Sequence, residues 1–310
     1  MAQVSVVITT YNRAELLTLA LNSAINQSFH DLEIIIIDDG STDNTRAIVE
    51  EYARKDNRIK YFYQANKGIS GAKNAGVKHA TAEYIAFLDS DDIWEKEKTE
   101  KQMGVFKNNK IINLVYTNAN LIDIKNKCLN KFYIREEDKN IKPEDFLPKL
   151  LLRDFIPFSS IIVRRDIFAQ YGDFMNDYEG AEDHEWLLRI SRHGHFHYID
   201  EPLTQYRLSS GNESWNLEKR HTKSIKILNA YKNKLPTMPL NYILKLHKRF
   251  AQSYYGLGYA CYEKGKYLEA RQAFARAILY WPLIDAKKYL LGLLCLMPSN
   301  IIGQLKTKRT

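Results

Sequence analysis

Four short runs of β-branched and apolar residues, alternating with segments of helical spacing, constrain this chain more than anything else in it. They are residues 4–10 (VSVVITT), 32–37 (LEIIII), 59–63 (IKYFY) and 84–88 (YIAFL). Runs this apolar read as strands buried on both faces. Between the first two, Leu16, Leu17, Ala20, Leu21, Ala24 and Ile25 recur at helical spacing, with Asn12 placed to cap the helix. Further helices are expected over about 42–55 and from near Ser70. Such β-α-β-α alternation predicts an α/β fold with a mostly parallel sheet flanked by helices.

From about 100 to 214 the pattern loosens. Strands are expected at 114–116 and 160–163, a helix over 182–191, and an extended segment at 195–199. A polar loop, Ser209-Ser210-Gly211-Asn212, marks a boundary between a first domain, 1–212, and a helical region, 213–310. Pro236 and Pro239 separate the first helix of that region from the second. The net charge of +8 comes entirely from this end: residues 215–310 carry +14 and the first 214 carry −6. A surface so basic can seek anionic lipid, nucleic acid or a phosphorylated substrate, or serve solubility alone. Three well-separated cysteines, Cys128, Cys261 and Cys295, suggest a reducing compartment and no disulfide framework. The first apolar stretch lacks the basic flank of a signal peptide, so the expected location is cytoplasmic.

Chemistry-bearing residues gather where the strands end, which is where open α/β sheets bind ligands. The run 84–88 is followed by Asp89-Ser90-Asp91-Asp92. Two carboxylates one residue apart suit a hard cation, Mn²⁺ or Mg²⁺, that fills its remaining positions with substrate phosphates. A solvated acidic loop capping the next helix is the plainer alternative.

Five stretches then occur in order: VSVVITTYNR (4–13), IDDGSTDNT (37–45), GISGAKNAG (68–76), YIAFLDSDD (84–92) and EDHEWLLR (182–189). Together they resemble the family 2 glycosyltransferases, inverting enzymes of the GT-A fold that use nucleotide-sugar donors. The resemblance covers roughly residues 3–210. It implies that Thr9, Tyr11 and Arg13 border the nucleotide and that Asp39 accepts from the base, a UDP-sugar being the favoured donor. Asp38 would support the turn, and Lys73 would face the nucleotide unless it is simply solvated. Asp89 is assigned to the ribose or to a place behind the metal, Asp91 to direct metal ligation, and Asp92 to a cap or support. Asp183 becomes the general base for the acceptor hydroxyl, a role that needs only a modestly raised pKa. Read alone, Glu182, Asp183 and Glu185 are an ordinary acidic helix start. Trp186 reads as core before sugar platform, and Arg189 as a partner for Glu185 at i−4. Tyr206-Arg207 follows the segment from His195, with Arg207 available to the diphosphate. The histidine that family members often carry next is absent here, since Leu208, Ser209 and Ser210 follow. His193, His195 and His197 would be nearly collinear on one strand, a poor metal site.

In the C-terminal region, Tyr254, Leu257, Gly258, Gly265, Tyr267, Ala270, Phe274, Ala277 and Pro282 resemble a single tetratricopeptide-type helical hairpin over 251–284. Residues 289–296 (YLLGLLCL), flanked by lysines and a basic tail, are too short to span a bilayer. They either lie on an anionic membrane surface or pack on the hairpin. The expected function is transfer of a sugar to a hydroxyl of a glycan or lipid-linked acceptor in surface polysaccharide or glycolipid assembly. No nucleic-acid partner is expected. Two alternatives are a nucleotidyltransferase, which should carry a glycine-rich loop after its first strand where this chain has TTYNRAEL, and a catalytically silent scaffold.

Overall fold

Strands β1 (Val4–Thr10) and β2 (Leu32–Asp38) are buried along almost their whole length, as a sheet covered on both faces requires. The computed structural model describes residues 2–208, 216–234 and 239–281. Helix α1 (Ala14–Ile25) buries Leu17, Ala20, Leu21 and Ala24, the i, i+3, i+4, i+7 stripe, in the main apolar core. Then come α2 (Thr45–Lys55), β3 (Ile59–Tyr63), α3 (Gly68–His79), β4 (Tyr84–Asp89) and the two-residue β5 (Ile93–Trp94). Gly76 lets α3 press onto β1, because a Cβ there would fall 2.3 Å from Val7 Cγ1. Helix α4 (Lys98–Asn108), β6 (Leu114–Ile122), β7 (Cys128–Phe132), α5 (Phe146–Leu152), β8 (Ile162–Arg164), α6 (Asp166–Tyr171), α7 (Glu182–Ile190) and β9 (Phe196–Arg207) complete the sheet-bearing part.

The sheet has nine strands in the order β3-β2-β1-β4-β8-β6-β9-β5, with β7 paired to β6. Pairing is parallel from β3 to β4 and between β6 and β9; β8, β5 and β7 pair antiparallel. Since β8 runs against both β4 and β6, those two are parallel, and the carboxyl ends of β1, β2, β4, β6 and β9 share one rim. Beneath the opposite rim Glu33 accepts from Ser5 Oγ, Lys60 Nζ (2.6 Å) and Thr81 N (2.7 Å), which ties the starts of several strands together.

Several local expectations change. Asn12 does not cap α1: it adopts a φ of 50°, a left-handed conformation asparagine tolerates, and its Oδ1 accepts from Thr42 N (2.8 Å). Asp43, from the loop before α2, instead accepts from Ala14 N at the start of α1 (3.0 Å). The segment expected at 195–199 extends to Arg207, so Tyr206 and Arg207 lie within β9. Register shifts beside Pro202 absorb the missing proline N–H.

The chain divides into two compact units, Met1–Ser210 and Gly211–Thr310. In the second, α8 (Leu217–Tyr231), α9 (Leu240–Glu263) and α10 (Tyr267–Tyr280) pack around small residues. A Cβ on Gly258 would meet the Phe274 ring at 2.8 Å, and one on Gly256 would meet His221. Burial pushes His221 down to about 4, helped by Arg220 and Arg249. Tyr280 stacks on Phe250 with ring centroids 4.4 Å apart. The loop at 209–212, Pro236, Pro282, Cys295, the apolar run 289–296 and the basic tail lie outside the described residues. Among the described residues no helix is long and apolar enough to cross a membrane.

Candidate functional site

Register brings the strand ends level: Thr10 pairs with Asp38, and Thr9 pairs with Asp89. The residues that follow these ends build one crevice. On the β2 side, Asp38 is absorbed by its own turn, accepting from Ser41 N (2.8 Å) and Tyr61 Oη (2.7 Å). Asp39 is also buried, and its Oδ1 accepts from Gln64 Nε2 (2.6 Å) and Lys67 N (2.9 Å). Among the described residues its Oδ2 makes no hydrogen bond, which leaves one carboxylate oxygen for a donor. Tyr11 stands at the rim, 49% exposed, beside the half-buried Thr9.

Arg13 reaches across to the β4 end, where its Nη1 lies 2.6 Å from Asp91 Oδ2. That pairing joins the first and fourth motifs. Arg207, expected near a diphosphate, is instead buried under the same loop. Its Nε donates to Asp91 O (2.7 Å), its Nη1 to Asp123 O (2.9 Å), and its N to Asp92 Oδ1 (2.9 Å). The arginine therefore fixes the backbone of the aspartate loop from β9. Asp89 N donates to Ser159 Oγ (3.1 Å), a residue with no signature in the sequence.

The loop is crowded with negative charge. Burial, assisted by Asp91, Asp183 and Glu182 and opposed by Lys73, pushes the Asp89 carboxyl up to about 6. Burial, with Asp91 and Asp89, drives Asp92 well above the usual carboxylate range. Three carboxylates in four residues, two of them raised by burial and by their neighbours' negative charge, are hard oxygen donors, so the residues present fit Mg²⁺ or Mn²⁺. Among the described residues no three metal-ligating side chains form a ready-made cage. A cation bound by one or two carboxylates plus a ligand's phosphates needs none.

Lys73, expected to face the nucleotide, is buried in the floor, 2% exposed. Its Nζ lies 2.7 Å from Glu182 Oε1 and 4.2 Å from the centre of the Phe158 ring. Burial works to lower this ammonium, but Glu182, Asp183 and Asp89 together hold it above an ordinary lysine. One cation thus couples the end of β4 to the start of α7. Glu182 Oε2 also accepts from Gly180 N (2.6 Å), which fixes the first turn of α7. Asp183 is half-buried; its Oδ1 accepts from His184 N (2.7 Å), and among the described residues its Oδ2 has no hydrogen bond. Trp186 is core, stacked on Phe168 at 4.7 Å, and Arg189 pairs with Glu185 at 2.8 Å.

Comparison with known proteins places this geometry. The model of Glycosyl transferase family 2 matches residues 5–172. An uncharacterised glycosyltransferase of Nostoc sp. is 34% identical over 174 residues, 54% of this chain and 52% of that protein. One of Rickettsia conorii is 30% identical over 248 residues, 78% of this chain and 40% of its own length. The chain thus spans about half, or less, of these relatives. A Campylobacter jejuni GalNAc(5)-diNAcBac-PP-undecaprenol β-1,3-glucosyltransferase is 46% identical over 94 residues, 30% of each chain. Among solved structures, S. aureus TarS in complex with UDP-GlcNAc superimposes with a TM-score of 0.64 at 19% identity, covering 95% of this chain and 90% of that one. Mannosyltransferase PcManGT from Pyrobaculum calidifontis, in complex with GDP-Man and Mn²⁺, gives 0.59 at 18% identity, covering 98% and 86%. These likenesses establish the GT-A fold. With more than half of its length matched by the family model, and the five motifs gathered around one crevice, the chain belongs to glycosyl transferase family 2.

Proposed function

We propose that this chain transfers a sugar from a nucleoside-diphosphate donor, a UDP-sugar by preference, to an acceptor hydroxyl with inversion at the anomeric carbon. The observation that carries this reading is the buried Lys73, paired with Glu182 at 2.7 Å and raised by the charges of Glu182, Asp183 and Asp89, so that the β4 loop and the start of α7 share one electrostatic floor. Asp39 Oδ2 faces the base, and Tyr11 lies at the base-binding rim. Asp91 would hold Mn²⁺ or Mg²⁺, with Asp89 behind it or on the ribose. When bound, the cation offsets the charge that builds on the departing diphosphate. Arg13, paired with Asp91 at 2.6 Å, is a positive charge at the same rim that could also meet the phosphates. Arg207 keeps the loop in position from below.

Asp183 does the proton chemistry. As the acceptor oxygen bonds to the anomeric carbon, the bond from that carbon to the diphosphate oxygen breaks and its electron pair leaves with the nucleoside diphosphate. The hydroxyl proton passes to Asp183 Oδ2, on the face opposite the leaving group. The bound ligands of TarS and PcManGT support a nucleotide-sugar donor and a divalent metal. The Campylobacter relative, named for a PP-undecaprenol-linked glycan, supports a lipid-linked glycan acceptor. A panel of UDP-, GDP- and dTDP-sugars with Mn²⁺ or Mg²⁺, read by thermal stabilisation, tests this. A UDP-sugar plus metal is expected to stabilise the chain most; no stabilisation by any donor, with or without metal, would sink the proposal.

A further inference from the structure

The crevice is walled by a ridge that the strand register makes visible. Ile85 of β4 and Leu114 of β6 both pair with Val163 of β8, from opposite sides, so the two strands start level. Counting equal steps along each puts Asn118 level with Asp89. β6 continues to Ile122, and at about 3.3 Å per residue it rises about 13 Å beyond the aspartate loop. Above the end of β8, β7 takes over that side of β6, while β9 follows the other side as far as Arg207.

Two tyrosines straddle β6 on this ridge. Tyr133 N donates to Ala119 O (3.0 Å), and Tyr206 pairs with Leu121. Ala119 and Leu121 point to the same face, as alternate strand residues do. Over the small Ala119 the rings of Tyr133 and Tyr206 come together edge to face, with centroids 5.0 Å apart. Both side chains are half-buried, and among the described residues neither hydroxyl makes a hydrogen bond. A tyrosine kept for packing alone would sink its ring or tie its hydroxyl. Asp183 and Asp92 are among the charges that act on both phenols, so the pair lies within electrostatic reach of the candidate base. Burial and that negative charge keep both hydroxyls protonated.

We propose that Tyr133 and Tyr206 form the acceptor subsite, a platform for a pyranose ring that turns one sugar hydroxyl toward Asp183. This rests on the transferase reading and adds where the acceptor lies. A pyranose presents an apolar C–H face and a polar edge, which match an aromatic ring and its free hydroxyl. Neither tyrosine moves a proton in the reaction; the pair sets which ring is accepted and how it is oriented.

Saturation-transfer NMR on the full chain with UDP and Mg²⁺ tests the platform, using methyl glycosides of glucose, galactose, mannose and N-acetylglucosamine as probes. At least one should receive saturation on its ring protons. Tyr133→Ala and Tyr206→Ala should each weaken that binding at least fivefold. Tyr133→Phe and Tyr206→Phe keep the packing and should weaken it two- to threefold. Phe132→Ala, which alters an exposed neighbour on the other face of β7, should change nothing. If UDP binds but no glycoside does, or a glycoside binds equally to wild type and both alanine variants, the platform is overturned. If none of UDP, GDP and dTDP binds the wild type, the transferase reading falls, and the platform with it.

Discussion

Lys73 shows how a residue type legible in sequence can take a place that sequence does not reveal. The stretch GISGAKNAG marks it as functional, yet its partner Glu182 is 109 residues away and no local pattern connects the two. The same holds for Arg207, whose contacts with Asp91 and Asp92 are each more than a hundred residues distant. Asp39, Asp91 and Asp183, in contrast, lie in dense motifs just past a strand or in the first turn of a helix, so their places at the rim follow from local pattern. A buried ion pair is costly to break from one side, since the remaining charge is left without a partner. Lys73→Met should therefore destabilise the chain by about 3–5 kcal/mol in urea unfolding. The double variant Lys73→Met/Glu182→Met should recover part of that loss. Additive losses in the double variant would show that the two side chains do not depend on each other.

The strands and helices of the first 92 residues follow from local pattern, because fully covered strands must be apolar along their length and helices striped. β5, β7 and the long run of β9 did not follow. β7 has mostly exposed residues, β5 is two residues long, and Pro202 sits where β9 itself bulges against β6, three residues on from Ile199 for a single step from Thr117 to Asn118. Such elements owe their existence to the strands they pair with, β6 for β7 and β9 and β9 for β5, not to their own composition. The opposite rim of the sheet carries a testable charge. Burial opposes ionisation of Glu33, but Lys60, Ser5 and Thr81 hold its carboxyl down at about 2, below the ordinary 4.5. A depressed carboxylate adds stability that is complete above about pH 4.5 and disappears as pH falls toward 2. Glu33→Gln should thus cost roughly 2 kcal/mol at pH 7, the scale of charged hydrogen bonds, and progressively less below pH 4.5. Urea unfolding of wild type and variant at pH 7 and 3.5 checks it; a penalty that does not shrink at the lower pH would contradict the network.

Across the whole chain, chemistry and charge are segregated. The motifs, the candidate base and the tyrosine ridge all belong to the unit Met1–Ser210, whereas the net positive charge belongs to the C-terminal end. The family and the GT-A sheet were legible because five motifs occur in order. The acceptor wall was not, because it depends on how far β6 overshoots β4, and overshoot is a property of register. Within the unit Met1–Ser210 the proposed line runs from Asp39 through Asp91 to Asp183, with donor binding at one end and proton transfer at the other. Donor turnover without an acceptor, with water in the acceptor's place, separates those ends. The decisive measurement is release of nucleoside diphosphate from the donor that best stabilises the chain, compared between wild type and Asp183→Asn alongside donor affinity. Loss of a general base predicts a fall in turnover of about 10²–10⁴-fold with donor affinity kept within about twofold. Turnover by Asp183→Asn at the wild-type rate would contradict the account.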